Sequence, residues 1–99
     1  MYMNKARVLR RLRSRRGELK ALGVRSLYLF GSTARGAARP ASDIDLFIEY
    51  DKGRFDLFDL AGVQAMLAEQ FPVAVDVTTR GSLHPRLRGN IEREAVKVF

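Results

Sequence analysis

The chain is 99 residues long, with 46% hydrophobic and 29% charged residues, eight glycines and three prolines, a make-up that suits one folded domain over residues 1–99 with a modest core. It has no cysteine, which excludes a disulfide framework, a thiolate metal site and a cysteine nucleophile, and no apolar run near the 18 or so residues of a membrane span or the core of a signal peptide, so the expected location is the cytoplasm, with no membrane contact. The net charge of +7 is uneven: residues 1–25 carry nine Lys or Arg against Glu18 alone, whereas residues 26–99 carry nine against ten Asp or Glu, so the excess is an N-terminal block able to meet nucleic acid, an acidic partner, anionic lipid or only solvent.

Val8, Leu9, Leu12, Leu19 and Leu22 recur at helical spacing and Gly23 stands where a C-terminal cap belongs, which predicts one amphipathic helix over 4–22, weakened at Gly17. Arg10, Arg11, Arg13, Arg15 and Arg16 are too close in sequence to share one of its faces, so some flank the apolar stripe and the rest point outward. "SLYLF", 26–30, is a continuous apolar run bounded by Gly31 and predicts a strand buried on both faces, with Tyr28 and Phe30 in the core. A turn or short helix follows at 32–38. "SDIDLFIEY", 42–50, alternates, with Ile44, Leu46 and Ile48 on one face and Asp43, Asp45, Phe47 and Glu49 on the other. After a loop at 51–56, Leu57, Leu60, Val63, Leu67 and Phe71 mark a second amphipathic helix that ends before Pro72. "VAVDVTT", 73–79, is a β-branched third strand, and Leu83, Leu87, Ile91, Ala95 and Val98 give a final helix.

The order α-β-turn-β-α-β-α predicts an α/β fold, a small β-sheet with helices packed on one face. If Val73, Val75 and Val77 meet those helices, Asp76 emerges on the open face beside Asp43 and Asp45, provided the second and third strands are neighbours. Three converging carboxylates repel one another unless a cation lies between them. Mg²⁺ suits such oxygen donors, and two ions can serve an in-line displacement at phosphorus. Gly31-Ser32 offers the complementary half: glycine lets the backbone approach a phosphate closely, and N–H groups with the Ser32 hydroxyl can bind its oxygens. Arg35, one turn on, can neutralise developing charge, and Arg80 is a second, weaker candidate for a triphosphate contact. His84, beside Pro85, reads as a packed or solvated residue rather than a base.

Gly31-Ser32, ten intervening residues and Asp43-Ile44-Asp45 resemble the G-S-x10-D-x-D signature of the DNA polymerase β-type nucleotidyltransferase superfamily. The longer string "FGSTARGAARPASDIDLFIEY" is similar to its minimal branch, the antitoxin-type proteins found beside HEPN-domain toxins. "VDV" around Asp76 and "LRGNIEREAVKVF" extend the likeness over nearly the whole chain. The resemblance implies a small mixed sheet of the polymerase β-like fold. It implies a nucleotide site at Gly31, Ser32 and Arg35, and Asp43, Asp45 and Asp76 as catalytic residues and ligands of two Mg²⁺ ions. The implied reaction is transfer of AMP from ATP to a hydroxyl, a tyrosine of a HEPN toxin, which silences that toxin. Larger members hold their acceptor on a further domain, for which 99 residues leave no room, so the acceptor is expected to arrive with a partner. Two other readings stand beside this one: an antitoxin that acts by binding alone, and a basic module that contacts RNA through the N-terminal helix, although that block offers no aromatics for base stacking.

Overall fold

In the computed structural model, which describes residues 4–99, the N-terminal segment forms two helices rather than the single one predicted over 4–22. Helix α1 (Lys5–Arg13) is capped by Asn4, whose side chain accepts the Arg7 N–H at 2.9 Å. At its end the Ser14 hydroxyl donates to the Arg11 carbonyl at 2.6 Å, competing with the helical ladder, and the chain restarts as α2 (Arg16–Ala21). Gly17 lies inside α2, so the break falls at Ser14 and Arg15 and not at the glycine.

Strand β1 (Val24–Phe30) runs directly into a one-turn helix, α3 (Gly31–Ala34), and is followed by β2 (Ile44–Tyr50), α4 (Leu57–Ala68) and β3 (Val75–Thr79). A 3₁₀ turn at Arg80–Ser82 leads to α5 (Pro85–Glu94) and to a two-residue strand, β4 (Val96–Lys97). The four strands lie in the order β3-β2-β1-β4. The sheet is mixed: β2 and β3 are parallel, joined by α4 as the crossover such a pair requires, and β1 is antiparallel to both β2 and β4.

Alternation divides the sheet into two unlike faces. Leu27, Leu29, Ile44, Leu46, Ile48, Val75 and Val77 are buried together with Val8, Leu12 and Leu19 from α1 and α2 and Val63 and Leu67 from α4. The other face carries Tyr28 and Phe47, whose rings stack at 4.7 Å, and Phe30 against Phe47 at 5.8 Å. Tyr28 and Phe30 are therefore half-buried on this second face, outside the main core.

Three expectations are corrected. Helix α4 starts on a capping box, with Asp56 and Asp59 each accepting the other's N–H at 2.9 and 3.0 Å, but it ends at Ala68, and Leu57 at its first turn is 81% exposed. The third strand begins at Val75, because Val73 and Ala74 belong to the approach from Pro72. The last helix stops at Glu94: Ala95 is extended, and Val98, which the helical stripe included, donates its N–H to Leu27 at 2.8 Å beside β4. Leu87, also on that stripe, is largely exposed, and α5 has no buried residue. Arg13 fastens the chain end by donating to the carbonyls of Val98 at 2.9 Å and Lys97 at 3.2 Å, so this guanidinium does not point freely outward.

Candidate active site

The site is built where β1 gives way to α3. Gly31 has φ +76, the left-handed region in which a side chain is strained, and Asp45 stands close against it. A Cβ on Gly31 would collide with Asp45 Oδ2 and lie 3.3 Å from its Cγ. The turn and the carboxylate thus fit together only because the residue after Phe30 has no side chain.

Register supplies the rest. Phe30 pairs with Asp45 across the antiparallel β1 and β2, and Asp45 pairs with Asp76 across the parallel β2 and β3. Partners in a parallel ladder project to the same face, so both carboxylates share the open face. Asp43 precedes β2 and is two residues from Asp45, which places it on that side as well. Ser32 is half-buried in α3, and Arg35 caps the C-terminal end of that turn. Gly31, Ser32, Arg35, Asp43, Asp45 and Asp76 are therefore collected at one end of the sheet.

The electrostatics reflect this crowding. The Asp45 carboxyl is pushed above its ordinary range, first by burial, then by the charges of Asp76 and Asp43 and more weakly Glu94, with Arg35 opposing them. Among the described residues no three Asp, Glu or His side chains by themselves form a group that could hold a metal ion, so a cation here would need ligands from elsewhere. An open set of carboxylates whose charges bear on Asp45 still fits a hard divalent cation that shares its coordination with phosphate and water.

Arg80 takes no place at this end. Its guanidinium lies 5.0 Å above the Tyr28 ring and 4.9 Å above that of Phe47, and pairs with Glu49 at 3.4 Å and closely with Glu92. Burial opposes its charge, but the bond to Glu92 and the carboxylates of Glu49 and Glu92 outweigh that and hold its pKa above the ordinary value. His84 caps α5, its Nδ1 accepting the Arg86 N–H at 3.1 Å. The residue that sequence reasoning missed is Glu94. One of its oxygens accepts the Gly31 N–H at 3.2 Å, and both accept from Arg35, at 3.2 and 3.1 Å. Only its position in the last turn of the last helix could have marked it, and that position depends on where the helix ends. A basic cleft also escaped notice: Arg25, Lys52, Arg54 and Arg88 join Arg80 in lining a cleft of about 780 Å³ at the far end of β2, with Glu49 and Asp51 as its acids.

Comparison with known proteins gives a consistent result. The sequence model of the nucleotidyltransferase domain family matches residues 7–98. A candidate protein adenylyltransferase of Methanocaldococcus jannaschii, MJ0435, is 41% identical over 77 residues, which is 78% of this chain and 82% of the relative. A second from the same organism, MJ0126, is 33% identical over 88% of this chain and 90% of its own length. Among solved structures, a candidate minimal nucleotidyltransferase superposes with a TM-score of 0.70 at 38% identity, covering 89% of this chain and 93% of the other. A toxin–antitoxin structure determined with AMP-PNP shares the fold, with a TM-score of 0.69 at 20% identity over 88% of this chain and 72% of the other.

Proposed function

The chain belongs to the nucleotidyltransferase domain family and is an enzyme of that class with the polymerase β-like fold, and from that premise we propose that it transfers AMP from ATP to a hydroxyl of a partner protein, a tyrosine of a HEPN-type toxin, and so acts as an antitoxin in the cytoplasm. The observation that carries this reading is the convergence of Asp43, Asp45 and Asp76 beside the Gly31-Ser32 turn. Protein as the acceptor is supported by relatives described as candidate protein adenylyltransferases.

In the reaction the acceptor oxygen forms a bond to the α-phosphorus, the bond from that phosphorus to the bridging oxygen breaks, and pyrophosphate leaves. Asp43 and Asp45 would hold two Mg²⁺ ions, with Asp76 completing the set on the acceptor side. When bound, such ions neutralise the triphosphate and stabilise the charge on attacking and leaving oxygens. The Gly31 N–H and Ser32 hydroxyl bind phosphate oxygens, and Arg35 neutralises charge on the departing groups. Asp76 would serve the acceptor hydroxyl either as a ligand of the acceptor-side metal or as the acceptor of its proton.

The RNA-binding alternative loses support from the contacts of the basic block. Arg11 donates to the Gln70 carbonyl at 3.2 Å, Arg13 to the chain end, and Arg15 to Gln70 and Glu18, so these guanidinium groups bind the fold itself. The test is to incubate the chain with its HEPN partner, ATP and Mg²⁺ and weigh the partner by intact mass spectrometry. Wild type is expected to add adenylyl mass and Asp45→Asn to add none; an unmodified partner with both proteins would refute the transfer.

A further inference from the structure

Glu94 occupies groups that the proposed function assigns to phosphate. Its Oε1 accepts the Gly31 N–H at 3.2 Å, and its two oxygens accept from the Arg35 guanidinium at 3.2 and 3.1 Å. Two oxygens held by a main-chain N–H and an arginine are the contacts a phosphate group makes. Gly31 has a single N–H, so the carboxylate and a phosphate oxygen cannot both hold it in full. We propose that Glu94 is an internal substitute for a phosphate group of the nucleotide: it holds Gly31 and Arg35 in the nucleotide-free protein and is displaced as triphosphate enters, and so sets nucleotide affinity. The inference rests on the reading of Gly31 and Arg35 as phosphate ligands.

The displacement is local. Two residues beyond Glu94 the chain is fixed by the pairing of Val96 with Leu29 and, further on, by Arg13 on the carbonyls of Lys97 and Val98, so the backbone stays and the side chain rotates. The Arg35 side chain is 52% exposed and that of Glu94 28%, which makes their ion pair weak enough for a multiply charged ligand to replace. A ligand that must first displace an occupant binds with an affinity lowered by the fraction of sites that are open. If about one site in ten is open, vacating it tightens binding by roughly tenfold.

The test measures inorganic tripolyphosphate binding to the full chain by calorimetry in EDTA, with thermal unfolding as the check on folding. Glu94→Ala is expected to bind about 3- to 10-fold more tightly than wild type. Glu94→Asp keeps the charge but draws the carboxylate back by one methylene, and it is expected to tighten binding as well. Wild-type affinity in the Asp variant would show simple charge repulsion and overturn the proposal. Unchanged or weaker binding in Glu94→Ala would overturn it too, the weaker result being that of a residue that helps to hold the ligand. Arg35→Ala is expected to weaken binding; if it leaves tripolyphosphate affinity unchanged, the phosphate assignment fails, and the role of Glu94 falls with it.

Discussion

Replacing Gly31 with alanine tests the close fit between the turn and Asp45, and Gly36 provides an internal reference. Both glycines are in the left-handed region, at φ +76 and +72, so alanine at either carries a similar backbone penalty of about 1–2 kcal/mol. Their surroundings differ: a Cβ on Gly36 meets nothing within 4 Å, whereas one on Gly31 collides with the Asp45 carboxylate. Crowding of this kind costs about 1–3 kcal/mol, so Gly31→Ala is expected to lose roughly 2–5 kcal/mol and Gly36→Ala about 1–2 kcal/mol. Urea titrations followed by circular dichroism, with equal m-values, measure the difference. Adding Asp45→Ala to Gly31→Ala should recover the crowding part, because the Asp45 Cβ that remains lies 3.4 Å from the new methyl, an ordinary contact. Equal losses for Gly31→Ala and Gly36→Ala, or no recovery in the double variant, would refute the proposed packing of the carboxylate on the turn.

Asp45→Asn is expected to abolish transfer yet raise stability at neutral pH. The folded protein holds the Asp45 carboxyl above its ordinary value of 3.8, so it favours the protonated form; the resulting stability is full below that value and is lost as pH rises through the raised one. Thermal unfolding from pH 3 to 8 should show this loss in wild type and not in the Asn variant, each kcal/mol relieved at pH 7 appearing as about 4–8 °C in Tm. Arg80→Ala should destabilise by about 1–2 kcal/mol in the same assay, since it removes a cation stacked on Tyr28 and Phe47 and leaves Glu49 and Glu92 without their shared partner; no change in Tm would contradict that structural role. Transfer should require Mg²⁺ or Mn²⁺, stop in EDTA and return when metal is restored in excess, and undiminished turnover in chelator would exclude the metal site.

The central placement was legible because strand alternation is local. The period of two in 42–50 puts Asp43 and Asp45 opposite Ile44 and Leu46, and the same period sets Asp76 opposite Val75 and Val77. That β2 and β3 are neighbours was a condition of the argument, and the Asp45–Asp76 register meets it. What escaped notice depends on contacts distant in sequence. Ala95 and Val98 continue a helical spacing, and only the free edge of β1, nearly seventy residues earlier, draws them into an extended segment. Once the helix is seen to end at Glu94, that carboxylate reaches the Gly31 turn, a contact no local pattern encodes. Leu57 and Phe58 illustrate the converse: their apolar character suggests burial, but the capping box sets the first turn of α4 so that both face solvent, 81% and 86% exposed.

The most direct test of the account is a paired labelling experiment in which the chain and its HEPN partner are incubated with Mg²⁺ and ATP labelled at either the α- or the γ-phosphate. Adenylyl transfer keeps the α-label on the partner and sends the γ-label away in pyrophosphate. The expected result is therefore covalent α-label on the partner with wild type, none with Asp43→Asn or Asp45→Asn, and no γ-label in any sample. Retained γ-label, or α-label that persists when both aspartates are replaced, would contradict nucleotidyl transfer at this site.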